Sequence, residues 1–396
     1  MKYQLRDYQQ QASNAAVSFF LDKERKGNAL IVAATGCGKS LIIADIAYRL
    51  NTDVLVFCPS KEITQQNYSK MKSYGVKCSM YSASVGEKVI SKVTFATIGS
   101  VKNYPELFSH FKYVIIDEAH YVNPKKGMYK DFIKALDCKV LGLTATPYRL
   151  ETEVDMNWST RKFNSATSYL KMLTDYKKPI FSDIIYNVDA GTLLHKGYLS
   201  RLKYYNMPPR GWDTEGLSRN SSGSDFTDES LRFMQRKVNF DKYLVSIVSR
   251  LLNPKDGNKR NGILVFTRFV EDARHLAESI EGGAYISGNM TKANRENILN
   301  DFENGKIKVL ANAGVLIVGY DRPDLDTIVL ATPTLSLARY YQEIGRAIRP
   351  HPSKKEGWII DLCGTFNRFG RVEELKLART PKNRWCVTTN GKILTN

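Results

Sequence analysis

Cysteine, histidine and long apolar runs are all scarce in this sequence. It has six cysteines and five histidines among 396 residues, and no two cysteines have the C-x-x-C spacing of a zinc site or redox pair. No apolar run approaches the roughly 20 residues of a membrane span. The start, Met1-Lys2-Tyr3-Gln4, lacks the apolar core of a secretion signal. We therefore expect a cytoplasmic protein with buried, reduced thiols and no membrane partner.

Acidic residues are also in short supply. The chain has 40 Asp and Glu against 58 Lys and Arg, a formal net charge of +18, and its pI is near 9.4. A surplus of this size favours a polyanionic partner, because each phosphate that a protein neutralises releases condensed counterions. A basic but merely soluble surface is the alternative. The length leaves room for two or three domains.

A phosphate-binding loop is predicted between a short apolar run and a helical pattern. Residues 34–40 read Ala-Thr-Gly-Cys-Gly-Lys-Ser and follow the strand-like run 29–33. Backbone N–H groups at a helix start bind anions, and glycines let the chain approach phosphates closely. Lys39 would reach the β- and γ-phosphates of ATP, and the Ser40 hydroxyl would ligate Mg²⁺. Ala33 stands where the usual template has glycine. The predicted phosphate-binding residues are Thr35, Gly36, Cys37, Gly38, Lys39 and Ser40.

A pair of acids follows a second pattern typical of a buried strand. Residues 112–116 are mostly apolar, and Asp117, Glu118, Ala119 and His120 come directly after them. Acids at such a strand end lie at the ligand-binding edge of an open α/β sheet. We expect Asp117 to hold Mg²⁺ and Glu118 to polarise the attacking water, since phosphoryl transfer is catalysed by positioning and charge stabilisation. The alternative is a solvated acidic turn whose histidine caps a helix.

A series of short motifs resembles, in order, those of the superfamily 2 helicases and translocases. Asp-Glu-Ala-His at 117–120, Thr-Ala-Thr-Pro at 144–147 and Gln-Glu-Ile-Gly-Arg-Ala-Ile-Arg at 342–349 resemble motifs II, III and VI. The segments that resemble the adenine-reading segment, motif Ia and motif Ib are 5–9, 58–66 and 96–100. The resemblance runs from residue 5 to about residue 370, and the ordered series is far more specific than any single motif.

The resemblance implies further contacts with the nucleotide. Gln9 corresponds to the residue that reads adenine, with Arg6 nearby, although an ordinary amphipathic helix start is the alternative. Gly319 and Asp321 match the end of motif V, where the aspartate approaches the ribose or orders the interface. A plain turn is the alternative for that pair.

Motif VI would supply catalytic residues from the second half of the chain. Arg346 and Arg349 correspond to arginine fingers, and Gln342 to a residue that reaches the γ-phosphate or His120. Arginine suits this role because its charge is permanent and its donors are multidentate. A solvated basic helix face is the alternative.

The resemblance also implies how hydrolysis would be linked to nucleic-acid binding. His120, Thr144 and Thr146 would form that link through hydroxyl hydrogen bonds, while a buried pair of strand-end threonines is an equal alternative. The candidates for contacts with phosphate oxygens are Ser60, Lys61, Thr97, Thr267, Arg268 and Asn312. Each of these alone is also compatible with a helix cap or a surface residue. Ala313 and Val318 depart from the usual motif V, which weakens the contacts inferred there.

Two series of short apolar strands and helical patterns predict the fold. We expect an α/β protein with two tandem domains, each a doubly wound parallel sheet. The resemblance to superfamily 2 implies that both domains are RecA-like, with an ATP cleft between them. The predicted parts are an ATP-binding domain at 1–180, a linker or excursion at 181–230, a C-terminal helicase domain at 231–365 and a basic tail at 366–396. Stacking of Arg210 and Trp212 on bases is a less favoured alternative to a plain linker.

The predicted function is that of an ATP- and Mg²⁺-dependent DNA helicase or translocase. Its motif details look most like compact phage and bacterial members that act in repair, recombination and restriction, several of which process branched DNA. We expect a monomer that works on single-stranded, forked or branched DNA in a prokaryotic or phage-infected cell. An RNA helicase is the first alternative. The second is a nucleic-acid-binding scaffold with a vestigial ATPase, which the intact set of motif residues argues against.

Overall fold

The chain forms two compact units in the computed structural model, which describes residues 3–157, 162–255, 257–315, 320 and 322–395. The first unit comprises Met1–Arg149, Leu170–Leu193 and Leu375–Asn396, and the second comprises Leu150–Tyr169 and Leu194–Glu374. The strands in chain order are β1 Ala29–Ala33, β2 Val54–Phe57, β3 Ser79–Ser82, β4 Glu87–Lys88, β5 Val93–Ala96, β6 Tyr113–Asp117, β7 Lys139–Thr144, β8 Tyr148–Asn157, β9 Lys162–Met172, β10 Asp183–Val188, β11 Leu202–Asn206, β12 Ile263–Thr267, β13 Gly283–Ser287, β14 Val309–Ala313, β15 Thr327–Leu330, β16 Gly357–Asp361, β17 Lys376–Arg379, β18 Trp385–Thr389 and β19 Lys392–Ile393.

The helices separate most of these strands. In chain order they are α1 Asp7–Leu21, α2 Lys39–Leu50, α3 Lys61–Ser73, α4 Ile98–Val101, α5 Met128–Ala135, α6 Ala190–His195, α7 Asp228–Lys237, α8 Phe240–Leu252, α9 Val270–Ser279, α10 Lys292–Glu303, α11 Leu337–Ile344 and α12 Thr365–Phe369. Short 3₁₀ helices cover Pro105–Phe108, Ala119–Tyr121 and Val372–Glu374. Over the described residues, no helix is both long and apolar enough to cross a bilayer.

The first unit is built on an eight-stranded sheet of order β10-β1-β7-β6-β2-β5-β3-β4. Its neighbouring strands run parallel except for β4, which is antiparallel to β3. Strands covered on both faces read as continuous apolar runs, and all five residues of β1 are buried. Because β1, β7 and β6 are neighbours, the loops that follow them leave the same edge of the sheet.

The second unit contains a six-stranded parallel sheet of order β11-β16-β15-β12-β14-β13. Its core joins the inner faces of these strands to α8 and α9, with Val265, Ala311 and Val329 from the sheet packed near Leu244 and Leu276 from the helices. The predicted fold class, two tandem α/β units with parallel sheets, is therefore confirmed.

The segment 181–230, predicted as a linker, supplies a strand to each large sheet. Strand β10 pairs with β1, and β11 pairs with β16. The sequence patterns did not reveal these two strands, because edge strands are short and only half covered. Turn-forming residues also follow them in the sequence. Trp212 donates from Nε1 to the carbonyl of Cys363 at 3.1 Å and packs against Phe240, so its ring is part of the core and not a platform for bases.

The basic tail predicted at 366–396 is also structured. Helix α12 and Val372–Glu374 lie in the second unit, whereas β17, β18 and β19 form an antiparallel three-stranded sheet that belongs to the first unit. The tail is therefore divided between the units at residue 375.

Candidate functional site

The loop between β1 and α2 is held in place by helix α1. Gly36 and Gly38 both have φ of 81°, a conformation that favours glycine. The Cys37 carbonyl between them accepts hydrogen bonds from the Tyr8 hydroxyl and from Gln9 Nε2, each at 2.8 Å. These two buried donors fix the loop, which leaves its backbone N–H groups positioned at the start of α2.

Gln9 has a structural task beside its predicted adenine contact. Its Oε1 accepts from the Arg6 backbone N–H at 2.9 Å while its Nε2 binds the loop. A Cβ on Gly38 would lie 2.7 Å from that Nε2, so the glycine also makes room for the glutamine. The sequence singled out Gln9 but gave no sign of its bond to Cys37, since the two residues are 28 positions apart.

The Glu118 carboxylate lies between a predicted catalytic lysine and a predicted coupling histidine. Glu118 Oε1 lies 3.3 Å from Lys39 Nζ, and Glu118 Oε2 lies 3.3 Å from His120 Nδ1. Glu118 itself adopts φ 51°, a left-handed conformation uncommon for a residue with a side chain. Strain of this kind, held between a buried strand and a 3₁₀ helix, is often found where a side chain must be aimed at a substrate.

Burial and charge have opposite effects on the pKa values of Lys39 and Glu118. Burial by itself would lower the pKa of Lys39. Attraction to Glu118 outweighs this effect and keeps the pKa of Lys39 above its ordinary value. For Glu118, burial alone would raise the pKa, and Lys39 with His120 holds it well below the ordinary value. Burial and repulsion from Glu118 raise the pKa of Asp117. The ion pair of Lys39 and Glu118 is therefore fully charged at neutral pH.

Asp117 has a partner that sequence reasoning missed. Asn67 on α3 is buried and donates from Nδ2 to Asp117 Oδ2 at 2.7 Å. The other carboxylate oxygen accepts from the Glu118 backbone N–H at 2.9 Å. The only hint of a role was that Asn67 directly follows the motif Ia segment 58–66, and the separation of 50 residues from Asp117 leaves no local pattern.

Two of the predicted coupling residues, Thr144 and Thr146, lie at the end of β7 and directly after it. The Thr144 hydroxyl lies 3.0 Å from His120 Nδ1 and accepts from the Thr146 backbone N–H at 3.0 Å. Arg149, which was not singled out from the sequence, donates from Nη1 to the His120 carbonyl at 2.9 Å. Both threonines are buried. A chain of hydrogen bonds thus runs from the β6 end to the segment that follows β7.

The oxygen ligands at the strand-end edge of the first unit's large sheet suit a nucleotide with bound Mg²⁺. A hydroxyl at Ser40 and a carboxylate at Asp117 are hard oxygen ligands, and Mg²⁺ normally completes its shell with waters and substrate phosphates. The described residues contain no group of three His, Cys, Asp or Glu that could hold a metal without such help. Burial raises the pKa of the Cys37 thiol to about 11, so this side chain fills space in the loop as a neutral group.

Motif VI lies at the end of α11 in the second unit. Arg346 is buried and donates from Nη1 to the Tyr320 carbonyl. Arg349 and Gln342 are half-buried, and the Arg349 carbonyl accepts from the Ser200 hydroxyl at 3.0 Å. The predicted ribose contacts Gly319 and Asp321 lie outside the described residues, as does Val318.

The predicted nucleic-acid contacts of the first unit have local partners. Ser60 is the N-cap of α3, where its hydroxyl accepts from the Ile63 backbone N–H at 3.3 Å, and half-buried Lys61 opens the same helix. The Thr97 hydroxyl lies 3.1 Å from that of Ser82 and belongs to a group of serine and threonine hydroxyls. These three residues follow the ends of β2 and β5.

In the second unit the predicted contacts are buried or already have partners. Thr267 and Asn312 are buried, and the Thr267 hydroxyl donates to the Phe269 carbonyl at 3.1 Å. Arg268 forms ion pairs with Asp225 at 2.5 Å and Asp228 at 2.9 Å. Motif resemblance indicates residue type and position but not burial, so the contact of these three residues with phosphate oxygens stays a prediction.

Two family descriptions match the chain in order. The family described as type III restriction enzyme, res subunit, matches residues 2–149. The helicase conserved C-terminal domain matches residues 243–351. The first match contains the phosphate loop and the Asp117–Thr146 region, and the second contains motif VI.

Individual relatives agree with this pairing. A Lactococcus phage "51.5 kDa protein" is 25% identical over 86% of this chain and 67% of its own length. The "DNA 3'-5' translocase XPB2" of Sulfurisphaera tokodaii is 24% identical over 91% of this chain and 82% of its own. The chain spans about half to two thirds of the length of other curated relatives that it matches.

A solved structure has the same fold. The "ATP-dependent Type ISP restriction-modification enzyme LlaBIII bound to DNA" superposes with a TM-score of 0.66 and 18% identity, over 90% of this chain and 28% of its own. At this identity the likeness establishes the tandem RecA-like fold.

Proposed function

We propose that this chain, which has the paired domains of an ATP-dependent superfamily 2 helicase, is a DNA-stimulated ATPase that translocates on DNA. The observation that supports the proposal best is the convergence of Lys39, Glu118 and His120 at the edge where β1, β6 and β7 end. A phosphate loop with a charged lysine beside a half-buried, ionised acid is the arrangement that phosphoryl transfer to water requires.

Each residue of the first unit has a chemical task in this proposal. The N–H groups after Gly36 bind the phosphates, Lys39 neutralises charge on the β- and γ-phosphates, and Ser40 with Asp117 holds Mg²⁺. Mg²⁺, when bound, withdraws charge from the phosphate oxygens. Glu118 orients the attacking water, and its low pKa keeps it ionised for that hydrogen bond.

Arginines of motif VI complete the proposed chemistry. Arg346 and Arg349 stabilise the charge that develops on the transferring phosphoryl group, with Gln342 as a further polar contact. The Tyr320 carbonyl that binds Arg346 holds the guanidinium in an ordered position, which lowers the entropy lost when it meets an anion.

The link to nucleic acid passes through two routes from the acids. His120 reaches the segment after β7 through Thr144, and Asp117 reaches α3 through Asn67. Helix α3 begins at Ser60 and Lys61, two of the proposed phosphate contacts. A change in how α3 or the segment after β7 binds the nucleic-acid backbone would therefore alter the positions of Asp117 and Glu118.

DNA is the proposed track, and forked or branched DNA the proposed preferred substrate. The net charge of +18 favours a polyanionic partner, and DNA and RNA suit it equally. Support for DNA comes from the translocase and restriction-enzyme names among the relatives. The phage relative supports action in a phage-infected or bacterial cell, and we propose that the chain works as a monomer on the nucleic acid.

Steady-state ATP hydrolysis tests the proposal at one fixed salt concentration. Rates are measured without nucleic acid and with single-stranded DNA, duplex DNA, a four-way junction and matched RNA. We expect stimulation by DNA, greatest with the junction. Stimulation by RNA alone would replace the DNA proposal with an RNA-remodelling one, and binding without turnover on any substrate would support a scaffold. Glu118→Gln is the matched inactive control for contaminating ATPases.

A further inference from the structure

The last 22 residues of the first unit carry charge of one sign. Residues 375–396 contain no acid and five cations, which are Lys376, Arg379, Lys382, Arg384 and Lys392. The acids nearest before them, Glu373 and Glu374, belong to the second unit. We call β17, β18, β19 and their connections the C-terminal sheet.

The C-terminal sheet is anchored to the first unit by a few specific contacts. Trp385 donates from Nε1 to Asp183 Oδ1 at 3.0 Å, and Arg379 Nη2 lies 3.4 Å from the same oxygen. Thr395 pairs with Leu170 in an isolated bridge. Because Asp183 opens β10, an edge strand of the large sheet, the C-terminal sheet is tied to a rigid element.

The five cations divide by what they already contact. Arg379 is committed to Asp183, and Arg384 lies 3.5 Å from Asp175. Lys376, Lys382 and Lys392 are exposed, and over the described residues none of their ammonium groups has a hydrogen bond or ion pair. Three ammonium groups on an ordered scaffold are thus available to a ligand, at no cost of breaking an internal pair.

The positions of the three lysines suit an extended anion. Lys376 and Lys392 lie toward one end of the sheet, since Lys376 is opposite Thr388 and Lys392 is opposite Thr389. Lys382 lies beyond the other end, in the connection after Arg379. The strand residues 376 to 379 alone span about 10 Å at roughly 3.4 Å per residue, which exceeds the size of a single phosphate group.

The same geometry argues against reading of bases. The Arg379 guanidinium lies 4.0 Å from the centre of the Trp385 ring, and that tryptophan is only half-exposed. Its face is therefore occupied by an internal cation–π contact. Over its described residues, the C-terminal sheet offers point charges for phosphates and no free aromatic platform.

We propose that the C-terminal sheet is an accessory grip for the phosphate backbone of duplex DNA, with Lys376, Lys382 and Lys392 as the contacts. This inference rests on the proposed DNA function. The grip is independent of sequence, because ammonium groups on phosphates position a duplex without distinguishing its bases. It holds the duplex on the first unit while ATP is hydrolysed at the strand ends of the large sheet.

Salt-dependent binding of the full chain to duplex DNA tests the grip. The variant Lys376→Glu/Lys382→Glu/Lys392→Glu is compared with Lys237→Glu/Lys242→Glu/Lys255→Glu, whose lysines are exposed in the second unit. Both variants lose the same formal charge, so the loss of long-range electrostatic attraction to DNA is equal in the two. Affinity is measured by fluorescence anisotropy between about 50 and 200 mM salt, where each lost phosphate contact lowers the logarithmic slope by about 0.9. Thermal unfolding checks that both variants fold.

We expect the slope of the C-terminal variant to fall by up to about 2.7, three contacts at about 0.9 each, and that of the second-unit variant to change little. Equal changes in the two variants, or an unchanged slope in the first, would overturn the grip and leave its lysines as solvated cations. Binding of the unmodified protein to single-stranded DNA but not to duplex DNA would also overturn the grip. If the unmodified protein binds neither single-stranded nor duplex DNA at any salt concentration, the DNA function itself fails, which is a distinguishable result.

Discussion

Lys39 Nζ lies 3.3 Å from Glu118 Oε1, and this ion pair joins the phosphate loop to the acid that follows β6. The two residues come from different strand ends that are brought together by the sheet order. Each sets the charge of the other, because attraction to Lys39 lowers the pKa of Glu118 and attraction to Glu118 raises the pKa of Lys39. A change at either residue therefore alters both.

Lys39→Ala and Glu118→Gln should each lower kcat for ATP hydrolysis by at least about 10²-fold, the usual loss for one preorganised electrostatic group. Steady-state ATPase assays measure this, with Lys23→Ala, an exposed lysine, as the control. Thermal unfolding separates lost chemistry from lost folding. Normal turnover in Glu118→Gln would remove that residue from water activation.

Asn67→Ala should raise the Mg²⁺ concentration needed for half-maximal ATPase by about 10- to 100-fold, the range for removal of a residue that orients a metal ligand. The reason is that Asp117 Oδ2 loses its 2.7 Å hydrogen bond and its fixed orientation. Gln65→Ala changes an exposed residue of the same helix and is the matched control. An unchanged Mg²⁺ curve with a lowered melting temperature would make Asn67 a purely structural residue.

Gly38→Ala should raise KM for ATP and destabilise the protein. Its φ of 81° costs an L-residue about 1–2 kcal/mol, and its new Cβ would lie 2.7 Å from Gln9 Nε2. Gly86→Ala is the control, since its φ is 87° but nothing lies within 4 Å of its Cβ. Urea unfolding should show a loss in both variants, whereas KM should rise only in the first. Equal KM values would mean that Gln9 can move without disturbing the loop.

Lys354 should make stability depend on pH. Its ammonium group donates to the carbonyls of Pro323, Leu325 and Ala347 at 3.1, 3.0 and 2.9 Å, and burial lowers its pKa to about 8. Between about pH 8 and its ordinary value of 10.5, the unfolded chain holds a proton that the folded chain has released. The contribution of this group to stability therefore rises with pH across that window.

The comparison with Lys354→Met isolates this effect. Urea unfolding at several pH values from about 7 to 10 should show the unmodified protein gaining free energy of unfolding relative to the variant as the pH rises above about 8. Parallel pH profiles of the two proteins would contradict the lowered pKa.

Much of the fold and of the nucleotide site could be predicted from local patterns. Apolar runs before Ala34 and Asp117 predicted β1 and β6, because a strand buried on both faces must be apolar along its length. Lys39, Asp117 and Glu118 were predicted because phosphate chemistry needs such groups directly after such strands, whereas the role of His120 was implied only by the family resemblance. The edge strands β10 and β11 were missed, because half-covered strands have no distinctive apolar run.

The sequence by itself determined which chemical groups this protein has and at which strand ends they stand. Only the tertiary structure decided their partners. Asn67 is hydrogen-bonded to Asp117, Tyr8 to the Cys37 carbonyl, and Arg268 is ion-paired with acids. It also decided that Thr267 and Asn312 are buried. The physical reason is that hydrogen bonds and burial depend on which distant segments the sheet order brings together, and separations of tens of residues leave no periodicity to detect.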